Sequence, residues 1–448
     1  MRSFSSRHLL DHAFSGLSYL SIGFMVAALL VILGPIAVRG IGAYCFRGTI
    51  EFRLFVLERF HRGSAERIGE ELQAARRARE PLYEAMRAFE ADLENDPALR
   101  RKLGSDYRQF QTAVRELLGP LPWDPAPLLL RQQYGQTRWD RALVKQRKAL
   151  YREEWDYSDP SRMGVQVWRP RRVHYRGTRL EPAFDQLEHR LAEMLRPRWT
   201  FYGRFLTDPS FDAHFFGGIW AEVLGTLCLT LGAMLFGVPV GLLSAIYLAE
   251  YATEGRLMHL LRIFINTLSG VPSIVFGLFG MAFFIHTLGV TDSKSVLAGS
   301  LTLALLILPT LIRASEEAIR AVPAAYREAA FSLGASRWHT VTTVILPAAL
   351  PGILTGTVIS LGRAAGETAP IIFTAAVSMG EPLAWRRLLT MPTPALPWNL
   401  YNLSTEHAAV DEIRHVQYGM ALTLVTLVLA LNLAAILLRA RVSRKLRG

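Results

Sequence analysis

Long apolar runs alternate with one charge-dense block along this chain. Leu17 to Val38 is uncharged and apolar for about 22 residues, enough to cross a bilayer as a helix. Residues 42–205 are rich in charge. Beyond Pro209 the apolar pattern takes over, with runs at Val223–Ala249, Ile263–Leu288, Val296–Ile312, Ala348–Val377 and Val416–Leu438. With the first run these make six. The pattern predicts an all-α membrane protein of six transmembrane helices, with an extra, mostly helical soluble domain between helices 1 and 2. The expected division is 1–41, 42–205 and 206–448.

Inside the charged block, Ile50 to Leu118 reads as helix, with a break near Asp96-Pro97. Leu82, Met86 and Phe89 recur at helical spacing as core positions of a coiled-coil-like part. From Pro120 the composition shifts to Trp, Pro, Tyr and Arg without a clear period. The stretch from Val165 alternates as a short strand or hairpin does, and Asp185 to Leu195 reads as a last helix. No internal repeat or low-complexity tract is present.

Composition sharpens this picture. Of 448 residues, 51% are hydrophobic and 20% charged, with a mean hydropathy of +0.21, which fits only if the two kinds are segregated. The block holds 31 Lys+Arg against 23 Asp+Glu, so +8 of the +12 net charge lies there. No nucleic-acid motif accompanies the basic excess. Two cysteines, Cys45 and Cys228, give neither a disulfide framework nor a metal cluster. The first run is longer than a signal-peptide core and lacks a convincing cleavage site, so it reads as an uncleaved helix. Arg2 and Arg7 precede it, and Arg439, Arg441, Arg444, Lys445 and Arg447 follow the last run. Both termini are therefore expected in the cytoplasm, which puts the block outside. No phosphate loop of the G-x-x-x-x-G-K-[ST] kind occurs, nor H-E-x-x-H, Cys-x-x-Cys or a nucleophile elbow. The chain is expected to be no enzyme and to carry no cofactor or metal.

Between the fourth and fifth runs lies a polar stretch, YREAAFSLGASRWHTVTTVILP, from Tyr326 to Pro347. Pro323 suits the position just before a helix. Gly334 suits a left-handed stop, and Ser336 can cap a second short helix running into Val341 and Val344. Pro347 and Pro351 mark where the next apolar span begins. An ordinary amphipathic loop and a docking segment both fit this pattern.

The spelling Glu328-Ala329-Ala330, then Gly334, then Val344, Leu346 and Pro347 resembles the coupling motif of importer permeases that dock on an ATPase, with Val344 in place of the usual Ile. From about Phe205 onward the chain resembles the phosphate-specific ABC importer permeases of the PstA type. The stretches that carry the resemblance are AIYLAEY at 245, SGVPSIVFGLFG at 269, LTLALLILPTLIRASEEAIRAVP at 301, RAAGETAPIIFTA at 363 and ALPWNLYN at 395. The resemblance implies the type I ABC importer permease fold, with 315–347 as a cytoplasmic coupling loop. It implies a phosphate-translocating subunit of the bacterial inner membrane. Its partners would be a second homologous permease, a dimer of ATP-binding subunits, an extracytoplasmic phosphate-binding protein and membrane lipid, with no nucleic acid. A permease for molybdate or sulfate, a transporter-derived sensor or scaffold, and an ion-coupled secondary transporter are the alternatives. The intact coupling motif argues against the last two. Block 42–205 stands where the family has a short loop.

Charge inside a span is costly and points to function. Arg363 and Glu367 lie one helical turn apart, as either a structural ion pair or part of an anion path. Arg313 closes the fourth run, with Glu316 and Glu317 within helical reach, as either an interfacial arginine or a guard of the same path. Thr368 and Thr374 are further candidates to line it. Gly270, Pro272, Gly277 and Gly280 interrupt the third run, as close helix packing would require. Trp398 and Tyr401 are expected at the outer interface.

Overall fold

The computed structural model describes residues 2–157, 164–253, 255–378, 380, 389–407 and 409–447. The side chains of 2–11, 13 and 445–447 fall outside the described set, so Arg2, Arg7, Lys445 and Arg447 add nothing further on orientation. The chain divides into two units, one formed by Tyr44–Gly203 and the other by residues 1–43 with 204–448.

In the larger unit the apolar runs become helices. Among the described residues five are long and apolar enough to cross a membrane: Phe14–Tyr44, Trp220–Tyr251, Val296–Arg320, Arg337–Gly366 and Arg414–Arg444. A sixth is present if Arg256–Ser269 and Ser273–Thr287, bent by 103° at their junction, count as one broken span. The third apolar run, Ile263–Leu288, is thus sharply bent at Gly270 and Pro272, two of the residues that interrupt it in the sequence. Pro272 lacks an N–H and disfavours helix before it, so the chain turns at Gly270–Pro272.

The fourth helix runs on past Ile312 to Arg320, carrying its charged end as helix. The fifth departs from Ala348–Val377 at both ends. It begins at Arg337 and passes through Pro347 and Pro351, helped by a wide π turn at Val341–Ile345. It stops at Gly366, because Pro370 has no N–H to return to that carbonyl, and Glu367 adopts an extended backbone (φ −76°, ψ 131°). Helix resumes at Ala369–Thr374. Leu229, Ala233, Leu303, Ile307, Leu311 and Ile371 form the core that these helices share.

The second unit is mostly helical. Its main helices are Ile50–Phe60, Ala65–Asn95, Pro97–Leu118, Trp139–Leu150 and Glu181–His189, with a short Leu191–Leu195 turn of helix after the last. The break at Asp96 is a cap: its side chain accepts from the Ala98 and Leu99 amides at 2.8 and 3.2 Å. A second break, at His61–Ser64, had no sequence warning beyond Gly63-Ser64. Leu82, Met86 and Phe89 are fully buried, packed with Phe110, Leu117, Tyr175, Phe184 and Leu187. Val165–Pro170 is a strand, paired antiparallel with Tyr151–Asp156. Cys45–Gly48 pairs with Arg198–Phe201, so the two ends of the unit leave side by side, and the Tyr202 amide donates to the Tyr44 carbonyl at 2.7 Å. Arg79 is buried, and it is matched by Glu51 at 2.8 Å and by the Met194 and Leu118 carbonyls at 3.0 Å each.

Candidate translocation and coupling sites

The polar stretch after the fourth helix folds as its local chemistry dictates. Pro323 precedes a helix over Ala324–Ser332. Gly334 follows in the left-handed region (φ 82°), where a side chain would be strained. Ser336 then caps the next helix by accepting from the His339 amide at 3.3 Å. The motif residues are divided between inside and outside. Ala330 is buried, Val344, Leu346 and Pro347 are half-buried, and Glu328, Ala329 and Gly334 are exposed.

The large apolar side chains beside them went unremarked in the sequence. Tyr326 is 52% exposed, Phe331 47%, Leu333 89% and Trp338 58%. Such a set on a polar segment outside the spans marks a surface suited to docking. The sequence signal was the presence of Phe, Leu and Trp at 331, 333 and 338 in an otherwise polar stretch. Arg327 and Glu250 were also missed. They form an ion pair of 2.7 Å between this segment and the end of the second span.

The two stretches flanking the chain breaks meet. An added Cβ on Gly277 would lie 2.9 Å from Pro370 Cα and 3.0 Å from the Pro370 carbonyl oxygen. Helix Ser273–Gly280 therefore packs backbone to backbone on the turn that follows Glu367. Arg363 lies one turn before that break and donates from Nε to Glu367 Oε1 at 3.3 Å, with side chains 36% and 19% exposed. Glu367 is thus the residue at which the helix ends, not a mid-span position. Thr368 is half-buried beside it. Thr374 turns inward. It is fully buried, its hydroxyl donates to the Pro370 carbonyl at 2.9 Å, and its own carbonyl accepts from the Ser295 amide at 2.8 Å.

Arg313 is exposed on the Val296–Arg320 helix. Among the described residues Glu316 pairs with Arg262 at 3.3 Å and Arg320 at 3.0 Å, and no ion pair joins it to Arg313. Glu316, within helical reach of Arg313, is thus held by Arg262 and Arg320 instead.

A further polar cluster sits at the start of the second span. Glu222 is buried, and its Oε1 lies 2.7 Å from His214 Nε2 and accepts from Asn399 Nδ2 at 2.9 Å. Next to it the Leu396 amide donates to the Thr226 hydroxyl at 2.9 Å. These bonds fasten helix Leu396–Thr405 to the second span. Trp398 is half-buried and stacks on Tyr401, which is exposed. Among the described residues the one group spaced to hold a metal ion is Asp185, Glu188 and His189 on the surface of the second unit, and Asp185 already accepts from Arg172 at 2.6 Å.

Residues 237–448 match the family described as binding-protein-dependent transport system inner membrane component. "Phosphate transport system permease protein PstA 1" of Mycobacterium tuberculosis is 38% identical over 235 residues, covering 52% of this chain and 73% of that protein. "Probable ABC transporter permease protein YqgI" of Bacillus subtilis is 33% identical over 252 residues, covering 54% of this chain and 85% of that protein. A solved structure of the MetNI methionine ABC transporter in an inward-facing conformation is 20% identical, covers 50% of this chain and 94% of its own, and has a TM-score of 0.38. This chain belongs to the family of binding-protein-dependent transport inner membrane components, with the importer permease fold and a multi-pass place in the inner membrane. Within that family it is similar to permeases of the PstA type, several of which share 35–38% of its residues over the matched region.

Proposed function

We propose that this chain is the PstA-type transmembrane subunit of an ATP-driven, binding-protein-dependent phosphate importer. The observation that carries the reading is the packing of Gly277 on Pro370 beside the Arg363–Glu367 pair, which unites two of the stretches that carry the phosphate resemblance, SGVPSIVFGLFG and RAAGETAPIIFTA. Phosphate carries one to two negative charges, so its route needs positive charge held weakly enough to release it. An arginine offset by a glutamate and only partly covered by its own chain meets both needs. ATP hydrolysis belongs to separate subunits that seat on the 324–340 segment, where Tyr326, Phe331, Leu333 and Trp338 are offered. A second homologous permease completes the pathway, an exported phosphate-binding protein delivers the ion, and lipid surrounds the spans. Both termini face the cytoplasm and unit Tyr44–Gly203 faces out.

The test is purification with a co-expressed ATPase, partner permease and binding protein, followed by ATPase and uptake assays with phosphate, molybdate and sulfate. Stimulation by phosphate alone is the expected result. Stimulation by molybdate or sulfate alone would reassign the substrate, and a complex that ignores all three oxyanions would end the transport reading.

A further inference from the structure

We infer that Arg327 is the positioning residue that transmits movement of the coupling segment to the second and fourth spans, an inference that rests on the permease reading above. Its guanidinium reaches three places at once. Nε and Nη2 donate to Glu250 Oε1 at 3.0 and 2.7 Å. Nη2 also donates to the Ile319 carbonyl at 2.9 Å, and Nη1 to the Val322 carbonyl at 2.6 Å. Glu250 lies in the π turn Tyr247–Tyr251 that ends the second span, while Ile319 and Val322 lie at the end of the fourth. The last carbonyls of a helix have no partner within it, and a cation there is favoured by the helix dipole as well. A planar fork of five donors satisfies the carbonyls and the carboxylate together, which an ammonium on a flexible stem cannot do.

The second half of the segment grips the same turn. Arg337 lies over the Tyr251 ring at 5.6 Å, one residue from Glu250. Tyr251 in turn packs against the cluster of Ala245, Ile319, Val322, Val341 and Ile345, which joins the ends of the second, fourth and fifth helices. The exposed apolar side chains at 326, 331, 333 and 338 are therefore carried on a segment fastened from within. A displacement of that segment by a docked ATPase must move Glu250 and Ile319 or break the bonds to them. Side-chain exposures of 21% for Arg327 and 10% for Glu250 leave the pair mostly shielded from water, where charge-assisted bonds hold well.

The test uses the full complex in liposomes with binding protein, and reads phosphate moved against ATP hydrolysed for Arg327→Gln and Glu250→Gln. The expected result is wild-type co-purification of the ATPase, with phosphate moved per ATP reduced about tenfold, the scale of a coupling between two sites. An unchanged ratio overturns the inference. So does loss of the ATPase from the complex, because Arg327 would then act in docking rather than transmission. If Arg327→Gln does not accumulate, Arg327→Lys takes the same measurement: it keeps charge beside Glu250 but gives up the fork to both carbonyls, and a wild-type ratio in it overturns the inference. A wild-type complex that moves none of phosphate, molybdate and sulfate sinks the permease reading and this inference with it, whereas an unchanged ratio in the variants sinks the inference alone.

Discussion

Arg363 and Glu367 show how exposure decides between two roles for one ion pair. A pair 36% and 19% exposed, joined at 3.3 Å across the end of a helix, contributes only about 0–1 kcal/mol to stability. Arg363→Gln should therefore leave the complex assembled while phosphate uptake falls by roughly tenfold or more, if about 1.4 kcal/mol or more of path electrostatics is lost. Uptake in vesicles, set against complex yield in detergent, checks this, and equal loss of both would make the pair structural. The opposite holds for Glu222, which is 1% exposed. Asn399→Ala would strip a donor from a buried carboxylate and should cost about 1–3 kcal/mol, read as a lower thermal midpoint of the purified complex. The first pair was legible because the charges lie four residues apart inside one apolar run, and they meet even though the helix ends at Gly366, just before Glu367. Glu222 was not legible. A glutamate at the start of an apolar run reads as an interfacial charge, and one of its partners, Asn399, is 177 residues away.

In the Tyr44–Gly203 unit, Asp124 accepts from Arg115 Nε and Nη2 at 2.7 Å each and from the Leu121 amide at 2.9 Å. The Arg115 hydrogen bonds, more than any other cause, hold its carboxyl below the usual aspartate range. A carboxylate whose folded pKa is depressed stabilises the fold above its unfolded pKa of about 3.9, and that contribution is lost as pH falls through the lower folded value. Asp124→Asn should therefore speed amide exchange around 115–124 at neutral pH in the intact protein. The difference should vanish at acid pH, once the wild-type carboxyl is protonated. A difference that persists unchanged into acid would remove the carboxylate from the account.

At the scale of elements, the coupling segment and the chain breaks respond to different limits. Nothing lies within 4 Å of a Cβ placed on Gly334, so the position is restricted by its left-handed backbone and not by crowding. Gly334→Asn should be tolerated, whereas Gly334→Val should cost about 1–3 kcal/mol of backbone strain and loosen ATPase association in pull-down. Equal binding by both variants would deny the turn a part in docking. Gly277 is restricted by crowding, because its nearest neighbours are Pro370 backbone atoms that cannot swing aside. Gly277→Val should disrupt assembly of the core, read as loss of a monodisperse complex. Apolar periodicity and capping residues made the helices of this region legible, including the Gly334 stop and the Ser336 cap. The prolines misled in both directions. Pro370 ends a helix inside a run that looked continuous, and Pro272 marks a sharp bend rather than close packing alone, while Pro347 and Pro351 sit within a helix that looked as if it should start there, with a π turn at Val341–Ile345 just ahead of Pro347.

On the scale of the whole molecule, the open matter is what Tyr44–Gly203 does for a transporter whose core lies elsewhere in the chain. Its core residues Leu82, Met86 and Phe89 were legible from helical spacing, but its aromatic centre joins Tyr107, Tyr175 and Phe184 from three separate stretches, beyond the reach of any local pattern. The sidedness proposed above follows from one span preceding the unit and from basic residues at both termini. A cysteine at the exposed Ser105, in a chain lacking Cys45 and Cys228, should react with a membrane-impermeant thiol reagent added to the outer face, and reaction confined to inverted vesicles would reverse the topology. The unit's two ends leave side by side, with the Tyr202 amide 2.7 Å from the Tyr44 carbonyl, so the chain can be rejoined across them by a short linker without stretching. A chain so shortened should still insert and still bind the ATPase, because the segment over 324–340 belongs to the other unit. If the unit receives the phosphate-binding protein, helped by its net positive charge, the shortened chain should lose binding-protein-stimulated ATP hydrolysis while keeping the basal rate. If it serves as a brace, stimulation should survive and the complex should instead dissociate at lower detergent concentration. The two outcomes are read from the same purified preparation, and stimulated hydrolysis at the full rate in a stable shortened complex would exclude both roles.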